Sequence, residues 1–199
     1  MAKSPEETKR VLLEVAFQEI HLHGFQATSI TNILENTELS KGALYHHFKN
    51  KTELGYAVVD EVLKPMFVEA WIIPLEKSSD VVSTIIEIIN QHREQACSEM
   101  LSRGCPLNNL VAEMSPIDEG FRIRLEAILT LWKNKLSEAF QKSIEKGLLK
   151  ENLDPVSISE FIIAIIEGVS SLSKNSQSTT VIDSCMHEMI YYLESLRKI

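Results

Sequence analysis

The chain has 199 residues, 44% of them hydrophobic, with few glycines and prolines, which is enough for one large domain or two small ones with a real core. Its net charge of −8 argues, taken alone, against a nucleic-acid partner. No run of about 18 apolar residues predicts a membrane span, and the polar start MAKSPEETKR has no apolar signal-peptide stretch, so a cytoplasmic protein is expected. Cys97, Cys105 and Cys185 form no CxxC pair, which argues against a zinc site and against a disulfide framework.

Ser4-Pro5-Glu6-Glu7 reads as a helix start. Ser4 is the N-cap, Pro5 suits the first helical position, and Glu7 completes a capping box. Val11, Leu12, Val15, Ala16, Phe17 and Ile20 then recur at helical spacing. Gly24 is the expected C-terminal stop, with Phe25 closing on the helix. His21 and His23 read as surface residues beside that C-terminus.

The stretch Thr28–Leu54 predicts two short helices joined by a tight turn, then the start of a longer one. Thr28 and Ser29 are cap candidates for the first, with Ile30, Ile33 and Leu34 on one face. Ser40 caps the second, expected over Lys41–Phe48. On that helix Leu44 and Phe48 face one side, and Lys41, Gly42, Tyr45 and Lys49 another. Such a polar face is either a DNA-facing set, with cations for phosphate and a bare backbone for close approach, or a solvated surface. His46 and His47 point about 100° apart, a poor metal chelate, so no metal site is expected.

These residues resemble the DNA-binding motif of TetR-family transcriptional regulators. The resemblance rests on Thr28-Ser29-Ile30, Ile33, Ser40-Lys41-Gly42-Ala43-Leu44-Tyr45, His47-Phe48, Asn50-Lys51 and Leu54, about the first quarter of the chain. It implies that Thr28, Ser29, Tyr45 and Lys51 hold phosphates, while Lys41, Gly42 and His46 face base edges or the adjacent backbone. Removing Lys51 is then expected to weaken binding to all sequences and flatten its salt dependence. The motif departs from the family at Thr37-Glu38-Leu39, where Ala-Gly-Val is usual. Losing the turn glycine predicts a non-glycine residue at positive φ, a strain of ~1 kcal/mol.

A fourth helix is expected from Asn50 or Lys51 to Trp71. Pro65 lies inside it, and either kinks it or divides it after Lys64. Pro74 is read as a break. An amphipathic helix follows over Asp80–Met100, with Ala96 and Cys97 in its stripe. Arg103-Gly104 ends one helix and Pro106 begins the next. Cys105–Leu110 resembles the G-C-x-L-x-N-L stretch of a subset of the same family, where it lies near the ligand cavity. Asp118–Lys146 is a long helix stopped by Gly147, and Asp154-Pro155 starts another that is apolar on nearly all sides. Ser173–Thr180 is read as a loop before a last helix, Val181–Leu196.

The expected fold is all-α, about nine helices. A three-helix head with the helix-turn-helix occupies residues 1–51, and a larger ligand-binding and dimerisation body 52–199. Residues 1–51 carry six basic and six acidic side chains, so the acidic excess lies wholly in the body. The burial demanded by the last two helices predicts a homodimer face, and the resemblance implies the same. Trp71, His92, Phe121 and Trp132 are candidate walls of a ligand cavity, with Cys105 or Asn108 at its mouth. Cys105, near Arg103 and a helix N-terminus, is either an electrophile-sensing thiol or a structural one. No G-x-S-x-G, H-E-x-x-H or phosphate-binding glycine loop is present, and no catalytic residue or cofactor is expected. The expected function is an effector-responsive, dimeric DNA-binding regulator, most simply a repressor on a palindromic operator. The alternative is a helical small-molecule binding protein or enzyme that has lost operator binding.

Overall fold

The computed structural model describes residues 4–95 and 98–198, and Ala96 and Cys97 of the expected fifth helix lie outside them. The described residues are helical throughout, save for one antiparallel bridge between Leu149 and Arg197. We number the helices α1 Pro5–His23, α2 Ile30–Glu35, α3 Lys41–His47, α4 over residues 51–76, α5 Val81–Gln95, α6 Ser98–Arg103, α7 Pro106–Met114, α8 Glu119–Glu145, α9 Pro155–Ser176 and α10 Thr179–Ser195.

The local signals act where the sequence places them. Ser4 accepts from the Glu7 N–H, Ser29 from Asn32, Ser40 from Ala43 and Asn50 from Glu53, each satisfying a backbone donor that its helix leaves open. Asp154 caps α9 through the Val156 N–H. Gly147 ends α8 at φ +71°, and the Leu148 N–H returns to Ser143 O at 3.0 Å.

Helix α4 contains Pro65, as the first of the two expected readings has it, and corrects the expected break at Pro74. The backbone stays helical through Pro65 and Pro74, because two π-helical stretches, Val59–Leu63 and Val68–Ile72, end two residues before each of them. In each the closing N–H reaches back five residues, Lys64 to Val59 O and Ile73 to Val68 O. Proline brings no N–H, and its ring crowds the carbonyl four residues earlier. A widened turn relieves that crowding without ending the helix.

Three boundaries also move. Helix α3 stops at His47, and Phe48 is its extended C-cap, still buried. The polar run after Ser173 is helical through Ser176, and Gln177 makes the turn in the left-handed region at φ +50°. Only Gln177 and Ser178 separate α9 from α10.

The chain forms two compact units. One holds the residues up to 66 together with 106–127, the other 67–105 and 128–199. The first is built on α1, whose Leu12, Ala16 and Ile20 are buried with Ile33, Leu44, Leu54 and Val58 from α2, α3 and α4. Phe25 and Phe121 meet edge to face at 4.7 Å over Gly55, where a Cβ would fall 2.4 Å from the Phe25 ring. The second unit packs α5, the rest of α8, α9 and α10 around Ile85, Trp132, Leu136 and Phe140. Arg197 ties its end, bonding Asp80 at 2.7 Å and Glu194 at 2.6 Å.

Candidate nucleic-acid interface

Helix α3 is short, so its placement depends on anchors rather than on helix propensity. Leu44 is fully buried and Phe48 nearly so, and both pin its inner side. Lys41, Gly42, Tyr45, His46 and Lys49 are exposed, Tyr45 at 46%. Lys41 Nζ lies 5.9 Å from the Tyr45 ring centroid, so a cation and a phenol share one outer face. No Cβ-distance barrier stands at Gly42 beyond its own cap, Ser40 Oγ at 3.7 Å. The open side of α3 therefore presents an ammonium, a phenol and an imidazole on a firmly held helix.

The turn between α2 and α3 carries no left-handed residue. Glu38 is not at positive φ, which corrects the expected strain. Thr37 replaces what a glycine would do. Its Oγ1 donates to Leu34 O at 3.1 Å and accepts from the Leu39 N–H at 3.2 Å. Asn36 adds bonds to Asn32 O and Glu19, each at 3.1 Å. Side-chain hydrogen bonds fix this turn in place of backbone freedom.

Thr28, Ser29 and Lys51 stand apart from the α3 face in how their polar groups are used. Thr28 is buried, and its hydroxyl donates to Gly24 O at 2.8 Å. Ser29 is the α2 cap and also bonds Asn32 Oδ1. Lys51 Nζ donates to Gln26 O at 3.0 Å and lies 4.6 Å from the Phe25 ring centroid. Partial burial pushes its pKa down, and the carboxylate of Glu113 opposes that shift.

Comparison with known proteins gives this arrangement its family. Residues 12–58 match the family described as "Bacterial regulatory proteins, tetR family", and residues 82–189 match "Tetracyclin repressor-like, C-terminal domain". The chain belongs to the TetR family. It is 30% identical over 177 residues to an HTH-type transcriptional regulator in the lacX 3' region of Lactococcus lactis subsp. lactis, covering 89% of this chain and 88% of that one. It is 23% identical over 175 residues to the HTH-type transcriptional repressor DhaR of Mycobacterium sp. strain GP1, covering 84% and 82%. In fold it is similar to a TetR transcriptional regulator from Chloroflexus aurantiacus, with a TM-score of 0.85 at 24% identity over 98% of each chain. This protein is a helix-turn-helix, DNA-binding transcriptional regulator.

The residues expected to line an effector cavity in this TetR-family chain divide between the units. Trp71, His92 and Trp132 come together in the second. The Trp71 ring stacks on His92 with centroids 5.7 Å apart and meets Trp132 at 4.7 Å. Trp132 is fully buried, and its indole N–H has no hydrogen-bond partner among the described residues. Phe121 belongs to the first unit, between Phe25 and Tyr56, as does Asn108. Cys105, in the second unit, donates its backbone N–H to Ser170 Oγ at 2.7 Å, and its Sγ lies 3.5 Å from Glu167 Oε1. Burial pushes the Glu167 carboxyl up to about 7, with the Cys105 bond opposing. The thiol thus faces a carboxyl, whereas activated thiols face cations.

An open groove of about 620 Å³ in the first unit is lined by Glu14, Val15, Phe17, Gln18, Glu19, Asn36, Val62 and Met66, and none of the aromatic candidates contributes to it.

The sequence gives no sign of Glu113. It lies at the end of α7, and its carboxylate accepts the N–H groups of Phe25 and Gln26, each at 2.8 Å. No periodicity or motif marks a carboxylate that acts 88 residues away.

Proposed function

We propose that the chain is a cytoplasmic, homodimeric repressor that binds a palindromic operator in double-stranded DNA and releases it on binding a small-molecule effector. The observation that carries this reading is the α3 face. Lys41, Gly42, Tyr45 and His46 are exposed on a helix that Ser40 caps and Leu44 anchors. In this reading these four meet base edges and phosphates, and Ser29 offers its helix start to a phosphate. Thr28 and Lys51, whose polar groups turn onto Gly24 O and Gln26 O, hold the face from behind. Residues 1–51 then serve as the DNA-binding head and 52–199 as the effector-binding and dimerisation body.

The dimer face is proposed on α9 and α10. Helix α9 is 22 residues long and holds an 18-residue window of mean hydropathy 1.5, long and apolar enough to cross a membrane, yet only 28% of that window is buried in the single chain. Phe161, Ala164, Gly168 and Leu172 are exposed on it at helical spacing, Phe161 at 46% and Leu172 at 57%. Nothing lies within 4 Å of a Cβ at Gly168. Two bulky apolar residues flanking two small ones suit close approach of a second helix, and the matching TetR-family domain runs through this segment. A two-fold pair of heads would read two half-sites about one DNA turn apart.

For the effector, the proposed site is the cluster of Trp71, His92 and Trp132 within the second unit, to which Cys105 also belongs. The unpartnered Trp132 N–H favours an effector that brings a hydrogen-bond acceptor to an aromatic wall.

Selecting genomic DNA fragments with the purified protein tests the whole reading. The expected result is one enriched palindrome. Retention of no sequence above background would sink it and favour a binding protein that has lost its operator.

A further inference from the structure

We propose that Glu113 is a positioning residue for operator binding, holding the loop between α1 and α2 from the far end of α7. The loop runs from Gly24 to Ser29, and its own ties are those of Thr28, whose N–H and hydroxyl both donate to Gly24 O. Gly24 is at φ +83°, a conformation that side chains disfavour. The next two amides, of Phe25 and Gln26, follow the end of α1 and both point to one carboxylate, at 2.8 Å each. Two N–H donors on one ionised acceptor are a strong, directional pair. The approach is close at Gly24, where a Cβ would lie 3.0 Å from Glu113 Oε2. Lys51 completes the clamp from the opposite polarity by donating to Gln26 O at 3.0 Å.

What the clamp holds is the DNA-facing edge. Thr28 bonds back to Gly24 O at 2.8 Å, and Ser29 beside it caps α2 through the Asn32 N–H at 3.1 Å. The chain of bonds from Glu113 therefore ends on the start of the first helix of the helix-turn-helix. Glu113 itself belongs to the stretch 82–189 that matches the C-terminal domain of the family, and α7 begins one residue after Cys105. A displacement of α7 acts on the α1–α2 loop through this carboxylate. Glu113 touches no phosphate in this arrangement, and its charge alone would repel DNA. Its removal lowers affinity only if the positioning role is real.

The test uses the full-length protein and its Glu113→Ala and Glu113→Gln variants, read by amide hydrogen exchange and by binding to the selected operator across a salt series. In Glu113→Ala, exchange at Phe25 and Gln26 is expected to rise about tenfold or more, while the Gly24 amide, bonded to Ile20 O at 2.8 Å, keeps its protection. Operator Kd is expected to weaken about tenfold with the salt slope unchanged. Glu113→Gln keeps the size and one acceptor oxygen and is expected to fall between. Unchanged exchange at both amides would overturn the clamp. Faster exchange with unchanged or tighter operator binding would overturn the positioning role. A wild-type protein that retained no DNA would defeat the operator reading instead, and the exchange measurement would still decide the clamp.

Discussion

Lys41 and Lys51 carry the same charge ten residues apart, and the fold uses them differently. Lys41 is exposed beside Tyr45, with its ammonium available to a phosphate, whereas the Lys51 ammonium is committed to Gln26 O. Replacing Lys41 with Ala is expected to weaken operator binding and flatten its salt slope by ~0.9, the share of one phosphate contact; an unchanged slope, measured by titration at several salt concentrations, would remove Lys41 from the contact set. Glu167 gives a second test at this scale. Its carboxyl is raised from the ordinary 4.5 to about 7 by burial, so the folded protein holds a proton there that the unfolded chain releases. Stability is therefore expected to fall as pH rises from about 4.5 through about 7, by roughly 1–3 kcal/mol. Glu167→Gln should flatten that part of the profile in denaturant melts at stepped pH, and a slope that persisted would place its origin elsewhere.

The elements show which physical signals a sequence carries openly. Ser4, Ser29, Ser40 and Asp154 were readable as caps because a cap bonds within three residues of itself. Gly24 and Gly147 were readable as stops for the same reason. Pro74 was misleading, since a widened turn that absorbs a proline leaves no residue pattern of its own. The Ser-rich end of α9 looked like loop, yet its hydroxyls bond the helix carbonyls behind them, as Ser173 does to Val169 O at 2.7 Å. The exposed face of α3 was legible from period alone, whereas the uses of Lys51 and Glu113 depend on partners 25 and 88 residues away that only folding brings near. The α2–α3 turn invites a direct test. Thr37→Val keeps the shape and removes both side-chain bonds, and is expected to cost about 1–2 kcal/mol of stability and to weaken operator binding. Full retention of both in thermal melts and binding assays would mean that the turn is held by Asn36 alone.

At the scale of the molecule, charge and apolar surface point to the same assembly. The acidic excess lies outside the first 51 residues, where cations and carboxylates balance, so a lone head has little electrostatic hold on DNA. The proposed pairing would double the contacts and cover the stripe of α9. Phe161 opens that stripe, and it also meets the Tyr192 ring at 5.0 Å within its own chain. Phe161→Glu is expected to shift the protein from dimer to monomer in sedimentation and to lower operator affinity by at least tenfold, since one head must then bind without the other. A dimer that survived the substitution would move the interface off this face.

The two π-helical stretches of α4 bear on how this chain tolerates change in length. Each lodges one residue more than an α-helical turn would need, and each lies just ahead of a proline. Losing one residue from 59–63, with Pro65 replaced by Ala, would let that stretch wind as plain α-helix and leave the side chains beyond it on their present faces. The same loss anywhere in α1 would rotate every later residue of that helix by about 100° and strip its buried side. An insertion or deletion that would ruin most helices thus has two places in α4 where it amounts to a change of winding, and shorter or longer relatives are expected to differ from this chain there first.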